Sequence, residues 1–362
     1  MYQLIRLLLF RLDAEQSHDL VISTLAALSR SGPALRLINR FGAARVPSIP
    51  CVLAGLTLSN PLGLAAGLDK EATAFPALAA MGFGSVELGT VTPRPQPGNQ
   101  KKRLFRMADD VALINRMGFN SSGLIPFRRN IERLRENTRA VIGINIGKNA
   151  STPIARAADD YAECMDDVYD IADYITINVS SPNTKSLRDL QNADHLDQLV
   201  GKLTSRRNQL TASLGKTLPL FIKIAPDLSA EEIGLVADTV RAHGLDGVIA
   251  TNTTTQRPRG THSAYAEKGG LSGRPLKSLS TATITTLYEH LRTDVPIIGV
   301  GGIESAQDVV EKVKSGAQTV QIYTSLIFEG PSVIRHILLG LEQRMQSMHI
   351  REWSSFLATL RA

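Results

Sequence analysis

Eight short apolar or β-branched runs, each followed by a helical pattern or by a loop leading to one, constrain this 362-residue chain more than any other feature. The runs are residues 61–68, 85–91, 141–147, 174–180, 220–225, 247–251, 296–300 and 319–323. Strand and helix in alternation predict βαβ units and a parallel sheet, because parallel neighbours need a crossover. Eight units in about 280 residues fit an α/β chain closed as a (β/α)8 TIM barrel. An open doubly wound sheet is the competing architecture, but it has fewer units and an early phosphate fingerprint. Residues 51–60 alternate around Gly55 and read as a small hairpin over the barrel floor. Two long insertions follow the second and sixth runs. In residues 92–130, segments 103–107 and 112–117 flank Asp109-Asp110 as a hairpin. Residues 252–275 are rich in Thr, Gly and Arg and read as a loop.

The first 45 residues are different. Leu4, Ile5, Leu8, Leu9 and Leu12 recur at helical spacing. Asp13 with Gln16 reads as a capping box for a second helix, which Gly32 stops. Pro33 opens a third, ended by Gly42. Taken alone, these helices are a cap on the main domain. The alternative is an interfacial anchor, apolar on one side with Arg6, Arg11, Arg30, Arg36, Arg40 and Arg45 at its rim.

Composition removes several classes. The net charge is +6 and the pI about 9.4, but the excess is spread out, so no nucleic-acid partner is expected. Cys51 and Cys164 are too far apart in the sequence for a Cys-x-x-Cys pair, and the seven histidines show no ligand spacing. No disulfide framework and no metal site are expected. No stretch reaches the ~20 apolar residues of a membrane span.

Polar groups collect where the predicted strands end, which is where barrels keep their chemistry. The first run leads into Ala65-Ala66-Gly67-Leu68-Asp69-Lys70, small residues and then a cation. The second ends at Thr90, the third holds Asn145, and the fourth holds Asn178 and runs into Ser181 and Asn183. An Asn inside an apolar strand needs partners or costs about 1–3 kcal/mol. Lys223 sits between Ile222 and Ile224, where a buried ammonium requires negative charge. The sixth run continues into Thr251-Asn252-Thr253. Asn115-Arg116-Met117-Gly118-Phe119-Asn120 closes the first insertion, as a hairpin end or a ligand contact. Gly299-Val300-Gly301-Gly302 and Gln321-Ile322-Tyr323-Thr324 follow the last two runs, the usual seat of a phosphate in barrels. A phosphate seat, a strand lysine and several amides point to a flat phosphorylated cofactor. Flavin mononucleotide (FMN) fits better than a dinucleotide, because no Gly-x-Gly-x-x-Gly follows an early strand.

Together, residues 65–70, 82–98, 115–119, 143–149, 178–184, 223–228, 247–254, 269–275, 298–303 and 321–323 resemble the dihydroorotate dehydrogenases, specifically the class 2, quinone-dependent, membrane-associated branch. That resemblance implies an FMN barrel at 46–362 behind an N-terminal membrane and quinone-access segment at 1–45. It implies oxidation of dihydroorotate to orotate, a CH–CH oxidoreductase step of pyrimidine synthesis. It makes Ser181 the catalytic base. It assigns the substrate to Lys70, Asn115, Arg116, Met117, Gly118, Phe119, Asn178, Asn183, Asn252 and Thr253. It assigns FMN to Ala66, Gly67, Leu68, Asp69, Lys70, Thr90, Asn145, Asn178, Lys223, Thr251, Gly273, Gly302, Tyr323 and Thr324. His18, Arg106 and Tyr323 fall on the quinone side. The partners implied are dihydroorotate or orotate, a membrane quinone and the cytoplasmic face of the cell membrane, contacted peripherally by a monomer. This chain departs from the branch at Lys185-Ser186, where Pro-Gly is usual, and at Lys102, where proline is usual. A tRNA dihydrouridine synthase is the second reading, but it uses a cysteine acid that neither Cys51 nor Cys164 is placed to supply. A non-catalytic membrane-surface protein is the third, and it leaves the strand-end amides without a purpose.

Overall fold

All eight predicted runs become parallel strands of one closed barrel. The computed structural model describes residues 2–184, 186–257 and 262–362. Among these, the strands are β1 Cys51–Leu53, β2 Leu56–Leu58, β3 Leu62–Leu64, β4 Ser85–Val91, β5 Leu104–Met107, β6 Ala112–Asn115, β7 Val141–Ile146, β8 Tyr174–Asn178, β9 Leu220–Ile224, β10 Gly247–Ala250, β11 Gly270–Gly273, β12 Ile297–Val300 and β13 Thr319–Ile322. The barrel runs β3-β4-β7-β8-β9-β10-β12-β13 and closes where β13 pairs with β3. Its strands are buried along both faces, as a parallel sheet wrapped by helices has to be. The helices that wrap it include α5 (Leu124–Leu134), α6 (Ala157–Val168), α7 (Ala193–Leu214), α8 (Ala230–Ala242) and α9 (Lys277–Leu291). β1 and β2 form the floor hairpin, held where Gln318 at the start of β13 donates to the Val52 carbonyl at 2.7 Å.

The second insertion corrects the loop expectation. Gly270–Gly273 is a strand, paired antiparallel to β6 and so extending the β5–β6 hairpin to three strands. A Gly-Leu-Ser-Gly segment has little strand propensity of its own. Its partner supplies the order: Leu271 is buried against Met107, Ala112 and Ile114 in a small separate core. Residues 258–261 of this insertion, and Lys185 in the loop after β8, lie outside the described residues. Ser186, where glycine is usual in the branch, takes a left-handed φ of 55°.

The N-terminal segment folds as α1 (Tyr2–Leu9), α2 (Ala14–Ser29) and α3 (Gly32–Phe41). Asp13 caps α2 by accepting from the Glu15 and Gln16 N–H groups, but no return bond from the Gln16 side chain is present. α2 stops at Ser29, before the expected Gly32, because Ser31 caps α3 and Gly32 is its first residue. A buried ion pair, Glu15–Arg103 at 2.8 Å, fastens α2 to the insertion hairpin. Arg106 stacks on Phe10 at 4.5 Å and donates to the carbonyls of Leu9, Phe10 and Leu12. Tyr2 and Arg6 donate to the Ile327 and Phe328 carbonyls of α11 (Thr324–Glu329). These contacts set the helix pair at the mouth of the barrel rather than at its floor.

Candidate active site

One cavity opens at the C-terminal ends of the strands, roofed by the three-stranded insertion sheet and α2. Parallel strands all end on the same rim, so residues distant in sequence meet there. The loop after β3 brings Ala66, Gly67 and Lys70 to the wall; β4 brings Thr90, and β9 brings Lys223. β8 and the turn after it supply Asn178, Ser181 and Asn183. The exit of β10 supplies Thr251, Asn252 and Thr253. Asn115 and Gly273 come from the insertion sheet, and Met117, Gly118 and Phe119 from the turn beyond it. Gly302 follows β12, Tyr323 and Thr324 follow β13, and His18 enters from α2.

Five expected site residues do not line this cavity. Leu68 is buried in the core. The Asp69 carboxylate accepts the N–H groups of Thr73 at 2.9 Å and Ala74 at 2.7 Å, so it organises the turn into α4 (Phe75–Ala79). Arg116 turns outward, paired with Glu267 at 2.6 Å and stacked on Phe105 at 4.7 Å. Arg106 is taken up by the N-terminal carbonyls. Asn145 lies one layer below, where its side chain bonds Thr90, Asn178 and Glu87. Conversely, the apolar walls Leu104, Val111, Leu113, Leu276 and Ile303, together with Ser272 and Ser325, were not anticipated. Ser325 had a readable signal, a second hydroxyl directly after Thr324 at a helix start. Ser272 had none, since only the β6–β11 pairing brings it there.

Three basic groups, Lys223, Lys70 and His18, set the electrostatics of the cavity. Lys223 is buried, and no hydrogen bond to its ammonium exists among the described residues. Burial pushes its pKa down, opposed by the Glu87 charge. A buried ammonium without hydrogen bonds costs several kcal/mol, roughly, until a partner arrives. Lys70 is half-buried and lowered to about 8, by desolvation first and Arg103 next; its ammonium donates to Asn120 Oδ1. His18 is lowered to about 4 by burial, so it is a neutral imidazole near pH 7. Ser181 is buried, and its Oγ accepts the Asn183 N–H at 3.3 Å. On the same turn, Thr184 Oγ1 is buried without a partner among the described residues. At the opposite end of the cavity Ser325 Oγ is likewise unpartnered, beside Thr324 and the left-handed Gly301 and Gly302.

Comparison with known proteins then decides the family. Residues 49–345 match the family model described as dihydroorotate dehydrogenase. This chain belongs to the dihydroorotate dehydrogenase family. Relatives named dihydroorotate dehydrogenase (quinone) place it in class 2. The protein of that name from Burkholderia cenocepacia (strain HI2424) is 49% identical over 335 residues, covering 92% of this chain and 95% of the relative. That from Delftia acidovorans is 49% identical over 346 residues, covering 94% and 98%. A crystal structure of Eimeria tenella DHODH in complex with ferulenol superposes with a TM-score of 0.86 at 40% identity, covering 95% of this chain and 94% of that one. In this dihydroorotate dehydrogenase the rim residues thus form the cavity common to one closed barrel, and the insertion sheet forms its roof.

Proposed function

We infer that this protein oxidises dihydroorotate to orotate and passes the electrons to a quinone, with FMN as its resident cofactor. The observation that carries the reading is the cavity itself: buried Lys223 without a hydrogen-bonding partner at one end and buried, unpartnered Ser325 beside a glycine turn at the other. The first suits the electron-rich edge of a flavin ring, the second its phosphate. Gly67, with φ +107° and only Tyr323 near a would-be side chain, leaves room for a ring to lie close to the backbone. When bound, FMN supplies the two-electron acceptor that no side chain offers.

The chain's own residues do the rest. A proton has to leave one ring carbon of the substrate while a hydride leaves its neighbour. Ser181 Oγ is placed to take the proton. Among the described residues no carboxylate or imidazole hydrogen-bonds to it, so its activation rests on exclusion of water and on a relay, for which the Thr184 hydroxyl of the same turn is uncommitted. Lys70 meets the substrate carboxylate. The amides of Asn115, Asn178, Asn183 and Asn252 are themselves fixed by hydrogen bonds, such as Asn183 Nδ2 to Asn115 Oδ1 at 3.1 Å, so they orient the ring without reorganising. His18, neutral, faces the cavity from the helix side, where the quinone ring would arrive.

Dye reduction by dihydroorotate, with quinone and fumarate compared as final acceptors, tests this assignment. A protein without dihydroorotate-dependent bleaching of a bound flavin would overturn it. Lys70 supplies a pH test. Its ammonium is present below about pH 8 and lost above. Orotate affinity should therefore weaken above that pH, approaching roughly tenfold per unit, and Lys70→Met should bind weakly at all pH values. Titrating orotate against the flavin absorbance from pH 6 to 10 checks it.

The same reading makes the N-terminal helices a peripheral membrane contact. No helix of the described residues is long and apolar enough to cross a membrane. Yet α1 has no buried residue, and Leu4 is 70%, Leu7 61% and Leu8 66% exposed. Leu20, Leu37 and Phe41 extend the apolar surface along α2 and α3. With arginines at its rim, that surface suits shallow, salt-sensitive binding to anionic headgroups. Deleting residues 1–45 is expected to abolish quinone reduction and vesicle binding while sparing dihydroorotate-driven flavin reduction. Assaying the two half-reactions separately on truncated protein that still holds flavin checks this; full-length quinone turnover would contradict it.

A further inference from the structure

Glu87 lies in the barrel interior, 1% exposed, and none of the steps above uses it. Its Oε1 accepts from Asn145 Nδ2 at 2.8 Å. Its Oε2 accepts from Gln321 Nε2 at 2.9 Å and from the Tyr174 hydroxyl at 3.1 Å. The three donors are neutral, and burial pushes the Tyr174 phenol well above its usual range, so it keeps its proton to donate. A carboxylate has no hydrogen to give. Asn145 and Gln321 therefore turn their NH2 groups toward it, and that decides where their carbonyl oxygens go. Asn145 Oδ1 accepts from Asn178 Nδ2 at 3.0 Å, and Asn178 Oδ1 accepts from Asn252 Nδ2 at 3.3 Å. Three amides thus run head to tail from the rim down to one negative charge. Gln321 Oε1 is left buried and unpartnered, on a side chain that lines the cavity.

Lys223 supplies the second observation. The charge that opposes its burial is Glu87, reached through Asn178, the registered neighbour of Lys223, and Asn145; the two form no ion pair among the described residues. The registered neighbours of Lys223 on β8 and β10, Asn178 and Ile249, carry no charge. The other titratable groups on the wall are Lys70, His18, Tyr323 and Glu304, and Glu304 is paired with Arg274 at 2.8 Å.

We propose that Glu87 is a positioning residue: one buried carboxylate that orients Gln321 at the cavity wall and Asn145 in the layer beneath it, and serves as counter-charge to Lys223 without occupying its hydrogen bonds. The arrangement separates two tasks that a direct salt bridge would merge. The lysine keeps a counter-charge, and its donors remain available to a bound ring.

This proposal rests on the FMN reading. The test is a pH titration of the visible absorption of the oxidised holoenzyme, which responds to charge beside the ring. Wild type, Glu87→Gln and Lys223→Met are compared. Glu87→Gln preserves shape and removes the charge, so the Lys223 transition should move to lower pH by about one unit or more. In Lys223→Met the transition should vanish. An unmoved transition in Glu87→Gln, with flavin retained, overturns the proposal. Should Glu87→Gln fail to fold, Glu87→Asp keeps the charge but sets it farther away; a smaller downward shift supports the proposal and no shift overturns it. A wild-type protein that carries no flavin would instead overturn the function inferred above.

Discussion

Ser181→Ala is expected to lower dihydroorotate-driven flavin reduction near neutral pH by roughly 10²–10⁴-fold, the span of a single positioned acid or base. FMN content and orotate affinity should hardly change. Ser181 is buried in the cavity wall, and its only hydrogen bond in the turn is the one it accepts from the Asn183 N–H. Alanine removes that acceptor but leaves Asn183 tied by its side chain to Asn115 at 3.0–3.1 Å, so the turn has reason to keep its shape. Rapid mixing of the oxidised variant with dihydroorotate reads the chemical step directly. Reduction at the wild-type rate would remove Ser181 from proton transfer. Reduction lost together with orotate binding would mean that the residue shapes the turn instead.

Lys223→Met is expected to weaken FMN retention by roughly 10–100-fold, the worth of a charge-assisted hydrogen bond in a buried site, and to make the flavin harder to reduce. The ammonium has no hydrogen bond among the described residues, so its burial is justified by what binds beside it. Methionine fills similar volume without the charge, which separates the electrostatic loss from a packing defect. Negative charge that collects on the ring during reduction would then meet the Glu87 carboxylate with no cation between, and the midpoint potential should fall. Flavin content after gel filtration and a potentiometric titration check the two halves. A fully yellow variant with wild-type potential would contradict both.

The barrel and much of its rim were legible before any coordinates. A strand such as Leu220–Ile224 and a helix such as α8, with its Ser229–Glu232 capping box, carry their signals in adjacent residues. Hydrophobic period and capping chemistry are local, so a linear reading captures them. The C-terminal ends of parallel strands share one rim, so Thr90, Asn178, Lys223 and Thr251 could be expected to converge once eight βα units were counted.

What the chain alone determined was therefore the barrel, the polar chemistry at its strand ends and the apolar, arginine-rimmed face of its first helices. The tertiary structure decided which side chains reach the cavity and which serve behind it. Gly270–Gly273 became a strand only because β6 offered an edge and Leu271 a small core to enter. Asn145 dropped beneath the site, Asp69 went to the α4 turn and Arg116 swung out to Glu267, although Lys70 beside Asp69, and Asn115 and Met117 beside Arg116, do reach the wall. Glu87 reads in sequence as one acid within an apolar strand; its three donors come from β7, β8 and β13, more than 50 residues away in every case. Burial and hydrogen-bond partnership depend on which elements meet in space. That information is absent from any window of neighbouring residues and exists only when the barrel closes.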